Sequence, residues 1–574
     1  MSDATIPIAV SSEARPDGAS SPNEVPQAVG RTSATEREAI TSDKFAFWLP
    51  DDVIVNPFDI VAVEQVNQPG EPPSRTYGLV TMLEHRTDAP NHLANFISSN
   101  FGQLNEQPNT NRQGTTVASA NVLSNNSDIY MPVPSERLVY FADKAGIETA
   151  LGIDQMDPAD RVPAGLIKMS NGASTVAYLD RKFVLGPESA HVNISGISGL
   201  ATKTSYAMFL LQSILQTADE PDKIAVIILN VKQGDLLMVD QRGPELPPEQ
   251  KEMWEALGLE PKPFSNVRYL LPRGPKGQLN SFIEPPIYTL YAYDLDSTAD
   301  KLDLLFTNVS DPTNTMESII GDIMQGLEGR GDKAFQNVRS WQNLLYGLPL
   351  FDPKENKSKG FGDNRPSSVG KFRRHLRRLV ETRQTGIFVN SRKSNEKVLA
   401  DEITNIRGGY TYVVDIAKLK DEEQTLVFGD LLRTIYALKA EEVENRIEES
   451  EMPEKIIFFV DELNKYAPSG TRTSPITEQV LDIAERGRSL GVILISAQQF
   501  MSAVHGRVTG NSATKILGRT GAQEVGQPDY RFLDNDLKMA MTRLGKGELL
   551  INHAVYRQPV KVIFPKPSYR QEQF

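Results

Sequence analysis

One stretch, residues 190–215, constrains the fold more than any other part of the sequence. It reads AHVNISGISGLATKTSYAMFLLQSIL: an apolar strand, a glycine-rich turn and an apolar helix. Glycines let backbone N–H groups close around a polyphosphate, a lysine neutralises its charge, and a following hydroxyl can ligate Mg²⁺. The stretch therefore predicts a phosphate-binding loop, and the residues expected to contact the phosphates are Gly196, Gly199, Ala201, Thr202, Lys203, Thr204 and Ser205.

The spacing within this loop is irregular. The usual pattern has one glycine directly before the lysine and another six residues before the lysine. Those two positions hold Thr202 and Ile197 in this chain, and Gly196 lies one residue early. For the motif alone, an ordinary glycine-rich turn between a strand and a helix is the alternative interpretation.

A second segment, KIIFFVDELNKYAPSG at residues 455–470, places two adjacent acids after an apolar run. A buried parallel strand would deliver both carboxylates to the edge of a sheet. In a nucleotide triphosphatase, Asp461 would hold the Mg²⁺ shell and Glu462 would polarise the attacking water. The alternative is a core strand that happens to end in acids, but both motifs in this order favour a nucleotide site.

A third segment, LDIAERGRSLGVILISAQQ at residues 481–499, predicts a helix, a turn at Gly491 and another buried strand. Gln498 at the end of that strand would lie beside the acidic pair and sense the γ-phosphate or orient water. Arg486 and Arg488 would lie at a helix end, where they could reach the phosphate of a neighbouring subunit. Solvated surface charge is the alternative for both arginines.

These strings, in this order, resemble the HerA branch of the HerA/FtsK family of hexameric motor ATPases. The similarity runs from about residue 46 to the C-terminus and includes NVKQGDLL, NSATKILGRTG and GKGELLINHAVYRQPVKVIFPKP. The resemblance implies a RecA-like P-loop ATPase core that binds ATP and Mg²⁺ and forms a homo-hexamer. It assigns Lys203 and Thr204 to phosphate and metal, Asp461 to the metal, Glu462 to water and Gln498 to sensing. Arg486 and Arg488 become candidate catalytic fingers that act in trans.

Composition narrows the class of protein. The chain of 574 residues has no cysteine, which disfavours a disulfide-stabilised secreted scaffold. Its six histidines lack the spacing of metal ligands, and no apolar run approaches the ~20 residues that span a bilayer. We therefore expect a cytoplasmic protein without a membrane anchor. The formal net charge of −13 is unusual for a nucleic-acid clamp but compatible with a locally basic channel.

Segment composition predicts an α/β organisation in several parts. Residues 1–45 are expected to be a disordered tail, residues 46–165 a small β-barrel, and residues 166–574 the ATPase core. The core would contain a largely helical insertion at about 240–385 and a C-terminal extension at about 545–574. Within the insertion, KFRRHLRRLVETR at residues 371–383 predicts a basic amphipathic helix with three apolar anchors.

Two functions are compatible with this sequence. In the first, a ring-shaped ATPase translocates double-stranded DNA through its channel and serves a nuclease partner in DNA processing or anti-phage defence. In the second, the ring is an ATP-dependent assembly scaffold that activates an effector, such as a nuclease or a sirtuin-like NAD hydrolase. DNA-stimulated ATPase activity would distinguish the two.

Overall fold

The computed structural model describes residues 27–108, 113–197, 203–309, 311, 313–382, 385–470 and 474–571. Its N-terminal part is a closed antiparallel barrel, for which the described residues supply six strands: β1 (Ala28–Thr32), β2 (Lys44–Leu49), β3 (Ile60–Gln65), β4 (Ser74–Thr87), β5 (Gly114–Asn125) and β6 (Leu138–Phe141). The strands follow the order β1-β2-β5-β4-β3-β6 around the barrel. Alternate side chains point inward, so Phe45, Phe47 and Val80 fill the interior.

The first barrel strand lies inside the segment whose composition predicts a disordered tail. Ala28–Thr32 pairs with β2 on one side and with β6 on the other, and these two ladders close the barrel. Five residues of mixed polarity carry little local signal for a strand. The partners that order them lie far along the chain, which is why the predicted boundary at residue 45 differs from the structure.

The remaining strands are β7 (Arg161–Lys168), β8 (Ser174–Asp180), β9 (Ala190–Ser195), β10 (Ile224–Asn230), β11 (Val267–Pro272), β12 (Thr289–Tyr291), β13 (Phe351–Asp352), β14 (Lys357–Ser358), β15 (Glu396–Lys397), β16 (Thr411–Asp415), β17 (Lys455–Asp461), β18 (Val492–Gln498), β19 (Ser512–Leu517), β20 (Glu548–His553) and β21 (Val560–Ile563). Apart from the β13–β14 hairpin, the described strands of this set form one sheet in the order β15-β12-β11-β16-β10-β17-β18-β9-β19-β20-β21-β7-β8. The sheet is parallel from β15 to β19 and antiparallel from β19 to β8.

Helices flank both domains. They are α1 (His92–Ser98), α2 (Lys144–Leu151), α3 (Arg181–Val184), α4 (Lys203–Thr217), α5 (Pro248–Ala256), α6 (Leu295–Thr298), α7 (Thr315–Leu327), α8 (Trp341–Tyr346), α9 (Pro366–Arg377), α10 (Leu399–Thr404), α11 (Asp421–Lys439), α12 (Pro475–Leu490), α13 (Gly506–Asn511), α14 (Ala522–Val525) and α15 (Asn535–Met541). A 3-10 helix covers Ala299–Phe306, another covers Leu463–Lys465, and a π-helix covers Arg378–Thr382 after α9.

The central strands are buried on both faces. In β10 and β17, alternate apolar residues face α4 on one side and α11 with α12 on the other, so each strand contributes to two hydrophobic cores. Continuous apolar runs such as IIFFV are the expected composition for parallel strands covered by helices. The core on the α4 side continues into the barrel through Ile60, Tyr77 and Leu79, which joins the two domains.

The insertion is partly built into the sheet. Strands β11 and β12, within residues 240–385, extend the parallel part of the sheet, and the helical body runs from α6 to the π-helix. The basic amphipathic helix predicted at residues 371–383 is present as the end of α9 and the π-helix. Its three predicted anchors are buried, namely Phe372, Leu376 and Leu379.

The order of strands identifies the fold class. β18, which ends in Gln498, lies between β9, which precedes the predicted phosphate loop, and β17, which ends in Asp461. The protein is thus an α/β structure in which a RecA-like sheet with a helical insertion follows a closed β-barrel, which confirms the predicted fold class. Within the described residues, no helix is both long and apolar enough to traverse a lipid bilayer.

Candidate functional site

The candidate site lies at the carboxyl-terminal edge of the parallel sheet. Because β9, β10, β17 and β18 are parallel, their ends meet at this edge, where ligands bind in open α/β sheets. The register pairs Gln498 with Ser195 and Asp461 with Ala497. This alignment brings the three motifs of the sequence together.

The segment predicted to bind phosphate lies between β9 and α4. Of its predicted residues, Gly199, Ala201 and Thr202 lie outside the described part of the chain. Gly196 has φ +155°, and a Cβ on it would come within 3.0 Å of the Gly518 backbone, so the close approach of these two segments requires glycine. Thr204 is half-buried and Ser205 is buried in the first turn of α4.

Lys203 is the first residue of α4 and is 7% exposed. Its ammonium donates a hydrogen bond of 3.0 Å to the carbonyl of Gly196, the residue that follows β9. Burial lowers the pKa of Lys203, while the nearby charges of Asp461 and Glu462 oppose that shift. A buried ammonium at a helix N-terminus is well placed to neutralise a polyphosphate.

Asp461 is the last residue of β17, and Glu462 follows it directly. Asp461 is 6% exposed, and its burial raises the pKa of its carboxyl. Glu462 has φ +57°, and its N–H donates to Asp461 Oδ1 at 2.9 Å. The Glu462 side chain is 25% exposed and can therefore face a substrate or water.

A lysine in the loop that follows the neighbouring strand β10 bridges these two carboxylates. The Lys232 ammonium lies 2.6 Å from Glu462 Oε1 and 3.4 Å from Asp461 Oδ2. Burial lowers the pKa of Lys232, but the charges and hydrogen bonds of the two acids outweigh that effect and raise it. Asp235, on the same loop, has its pKa raised by burial and by the charge of Asp461. The local sequence does not indicate that Lys232 contacts Glu462, because the two residues are 230 positions apart.

Gln498 ends β18 and is fully buried. Its amide nitrogen donates to Asn193 Oδ1 at 2.8 Å, and Asn193 in turn donates to Ser496 Oγ at 3.1 Å. The side-chain amide oxygen of Gln498 is buried and has no hydrogen-bond partner among the described residues. Asn193, which sequence reasoning missed, is a polar residue within a buried strand and fixes the orientation of the glutamine.

The donor set fits Mg²⁺ and a nucleotide. Mg²⁺ binds oxygen ligands and is commonly held by one or two carboxylates together with substrate phosphates. The Asp461 carboxylate and the hydroxyl of Thr204 are oxygen donors of this kind. The orphaned Gln498 oxygen offers a further acceptor for a bound water at the same edge.

The two arginines lie elsewhere. Helix α12 ends at Gly491 and β18 then runs back through seven residues, so Arg486 and Arg488 lie near the opposite edge of the sheet, ~20 Å from Gln498. Arg488 donates to the Glu188 carbonyl at 2.6 Å, and Arg486 is exposed. The structure thus brings Lys203, Asp461, Glu462 and Gln498 together and leaves both arginines outside that group. A role for them at a neighbouring subunit stays a prediction.

A separate polar cavity of about 830 Å³ opens near the β15 edge of the sheet. Its lining includes Arg268, which stacks over Tyr410 at 5.6 Å. Some of its charged groups form ion pairs: Arg392 pairs with Asp294, and Glu396 pairs with Arg273, which lies outside the lining. None of the converging residues at the carboxyl edge lines it.

No protein-family model and no curated protein matches this sequence. Among solved structures, a bacterial conjugative coupling protein, TrwBdeltaN70, is 12% identical, with a TM-score of 0.40, covering 67% of this chain and 88% of that chain. The plasmid coupling protein TrwB in complex with ADP and Mg²⁺ is 10% identical, with a TM-score of 0.39 and coverages of 67% and 86%. EssC (ATPases 2 and 3) from Geobacillus thermodenitrificans is 13% identical, with a TM-score of 0.27 and coverages of 73% and 46%. Likenesses this distant transfer no function to the chain.

Proposed function

We propose that the chain is an ATP hydrolase of the HerA/FtsK superfamily. The observation that carries this proposal is the convergence of four groups at one sheet edge: the Lys203 ammonium, the Asp461 and Glu462 carboxylates and the Gln498 amide. Each has the chemistry that phosphoryl transfer to water requires. The strand that holds Gln498 lies between the other two strands of the site, which places the amide beside both.

Each residue has a distinct task in this proposal. Lys203 and the backbone at the start of α4 bind the phosphates, and Thr204 and Asp461 hold the Mg²⁺ shell. Mg²⁺ supplies charge neutralisation on the β- and γ-oxygens when it is bound. Glu462 accepts a proton from the attacking water, and Gln498 orients that water through its unpaired carbonyl oxygen.

Substitution of Glu462 tests the proposal. Glu462→Gln should bind ATP with near-normal affinity and hydrolyse it at least ~100-fold more slowly, because the amide cannot accept the proton. Binding is measured by calorimetry with a non-hydrolysable analogue, and turnover by phosphate release. Glu478→Gln, an exposed acid on α12, is the matched control and should keep normal turnover. Near-normal turnover by Glu462→Gln would mean that the acidic pair has been misassigned.

We further propose that this ATPase acts as a cytoplasmic homo-hexameric motor that translocates double-stranded DNA for an effector partner, such as a nuclease, in DNA processing or anti-phage defence. Exposed cations of α9 and the π-helix, including Lys371, Arg374 and Arg377, supply a basic face on a chain whose net charge is −13. Such a face is where a DNA backbone or an acidic partner would bind.

The alternative is an assembly scaffold that uses ATP to activate an effector without moving DNA. Steady-state hydrolysis with and without linear duplex DNA distinguishes the two. Stimulation by DNA that falls steeply with added salt supports the motor. A rate that is indifferent to DNA but rises with a co-encoded effector supports the scaffold.

A further inference from the structure

Lys232 occupies the position between the two carboxylates where a cation would be most strongly attracted. Its ammonium contacts Glu462 Oε1 at 2.6 Å and Asp461 Oδ2 at 3.4 Å, so one positive charge serves both acids. In the proposed function, Asp461 holds the Mg²⁺ shell and Glu462 accepts a proton from the attacking water. In that function, Glu462 cannot act on a water molecule with the oxygen that Lys232 contacts.

The backbone around Lys232 is held by neighbouring residues, whereas the Lys232 side chain is only partly enclosed. Asn230, the last residue of β10, donates to the Gln233 carbonyl and to Asp415 Oδ1, each at 2.8 Å. Gly234 packs so closely on Ile283 that a Cβ would lie 2.4 Å from its side chain. In contrast, the Lys232 side chain is 50% exposed and has four rotatable bonds. It can leave the carboxylates without any movement of the strand.

Two cations cannot share this site without a penalty. A divalent ion beside Asp461 would lie within a few ångströms of the Lys232 ammonium, where like charges repel strongly in a partly buried site. The neighbouring Lys203 ammonium adds to the positive charge. Arrival of the metal therefore favours departure of Lys232 from the two carboxylates.

We propose that Lys232 is a positioning residue whose ammonium competes with Mg²⁺ for the Asp461 and Glu462 carboxylates. It holds Glu462 in the nucleotide-free site and releases it when the metal–nucleotide complex binds. This inference rests on the proposed function, because it takes Asp461 as the metal-holding acid. The Lys232–Glu462 ion pair would thus keep Glu462 occupied until the substrate is bound.

The absence of cysteine from the sequence allows a test in which only a charge changes. In Lys232→Cys the single thiol is alkylated either with bromoethylamine, which restores an ammonium at nearly the length of lysine, or with iodoacetamide, which adds a neutral amide. Mn²⁺ binding to each form is measured by electron paramagnetic resonance with saturating ADP. The neutral form should bind Mn²⁺ about tenfold more tightly than the aminoethylated form. Both forms come from one preparation, so a folding defect would affect them alike.

Lys465→Cys, alkylated in the same two ways, is the matched control. Lys465 lies three residues after Glu462, but its ammonium pairs with Asp421 at 2.7 Å. Its two forms should differ less than ~2-fold in Mn²⁺ affinity. Equal or weaker Mn²⁺ binding by the neutral Lys232→Cys form overturns the inference.

Asp461→Asn separates this inference from the proposed function. If the unmodified protein binds Mn²⁺ with ADP and Asp461→Asn does not, the metal assignment stands, and the Lys232 comparison decides the inference alone. If Asp461→Asn retains the Mn²⁺ signal, or the unmodified protein shows none, the proposed function fails and the inference falls with it.

Discussion

The buried ion pair between the helical insertion and the core offers a quantitative test of how the two parts are joined. Asp430 on α11 is fully buried, and the Lys301 ammonium lies 3.0 Å from its carboxylate. The Tyr293 hydroxyl donates to the same carboxylate at 2.7 Å. Asp430→Ala removes the buried counter-charge of Lys301 and the acceptor of Tyr293 at once.

Breaking a buried ion pair from one side costs about 3–5 kcal/mol, because the remaining charge stays out of water. Lys301 is 7% exposed, but the exposed Asp300 lies 3.6 Å away and offsets part of the loss. We therefore expect about 3 kcal/mol for Asp430→Ala. Hydrogen exchange of α11 amides, followed by mass spectrometry, should accelerate about 100-fold where exchange requires opening of this interface. Acceleration below about fivefold would refute this account of the pair.

Two comparisons isolate the electrostatic contribution. Replacement of all three groups, Asp430→Leu with Lys301→Met and Tyr293→Phe, leaves neither an unpaired charge nor an unsatisfied hydroxyl and should restore protection to within about 1 kcal/mol of the parent. Arg433 and Asp303 join the same two helices but have side chains 27% and 30% exposed. Arg433→Met should therefore cost about 1 kcal/mol or less.

The sign of the pH dependence provides a further check. Burial raises the pKa of Asp430, so its protonated form is favoured more in the folded state than in the unfolded state. In Lys301→Met the carboxylate loses its counter-charge, and the resulting destabilisation should diminish as pH falls through the folded pKa. If the protection of α11 amides in Lys301→Met does not change with pH, after correction for the intrinsic exchange rate, the expected pH dependence is wrong.

Three further predictions follow from the site and the fold. Lys203→Ala should weaken nucleotide binding at least ~10-fold in calorimetry, since the phosphates lose a charged donor; unchanged affinity would remove Lys203 from the site. Mixing Arg486→Ala subunits with Glu462→Gln subunits should recover part of the hydrolysis if the arginine acts in trans, whereas a purely additive loss would count against that role. Deletion of residues 1–26 should leave the thermal midpoint unchanged in scanning calorimetry, whereas deletion of 1–43 removes β1 and should lower it by opening the barrel; equal midpoints would show that β1 is dispensable.

The sequence predicted the site's strands better than its side-chain contacts. An apolar run such as IIFFV is buried whichever strands lie beside it. The local sequence is therefore enough to predict that the run forms a strand and which polar residues follow it. The contact of Lys232 with the acids depends on β10 lying beside β17, about 230 residues away along the chain. The order of strands in a sheet is a global property, and no local period encodes it. Strand β1 was not predicted for the same reason: it lies in a polar segment, and it is ordered by pairing with β2 and with the distant β6.

The backbone at Glu462 explains how two consecutive acids can serve one cation. Side chains of neighbouring residues on a strand point to opposite faces, so a continued β17 would send Asp461 and Glu462 apart. Instead Glu462 adopts φ +57° and begins the 3-10 turn Leu463–Lys465, which swings its carboxylate back toward the sheet edge. A left-handed conformation at a residue with a Cβ costs about 1 kcal/mol. The bond from its N–H to Asp461 Oδ1 and the contact with Lys232 offset that cost. A strained backbone conformation persists when several surrounding contacts stabilise it. At Glu462 this conformation brings its carboxylate and that of Asp461 to the same cation, the Lys232 ammonium.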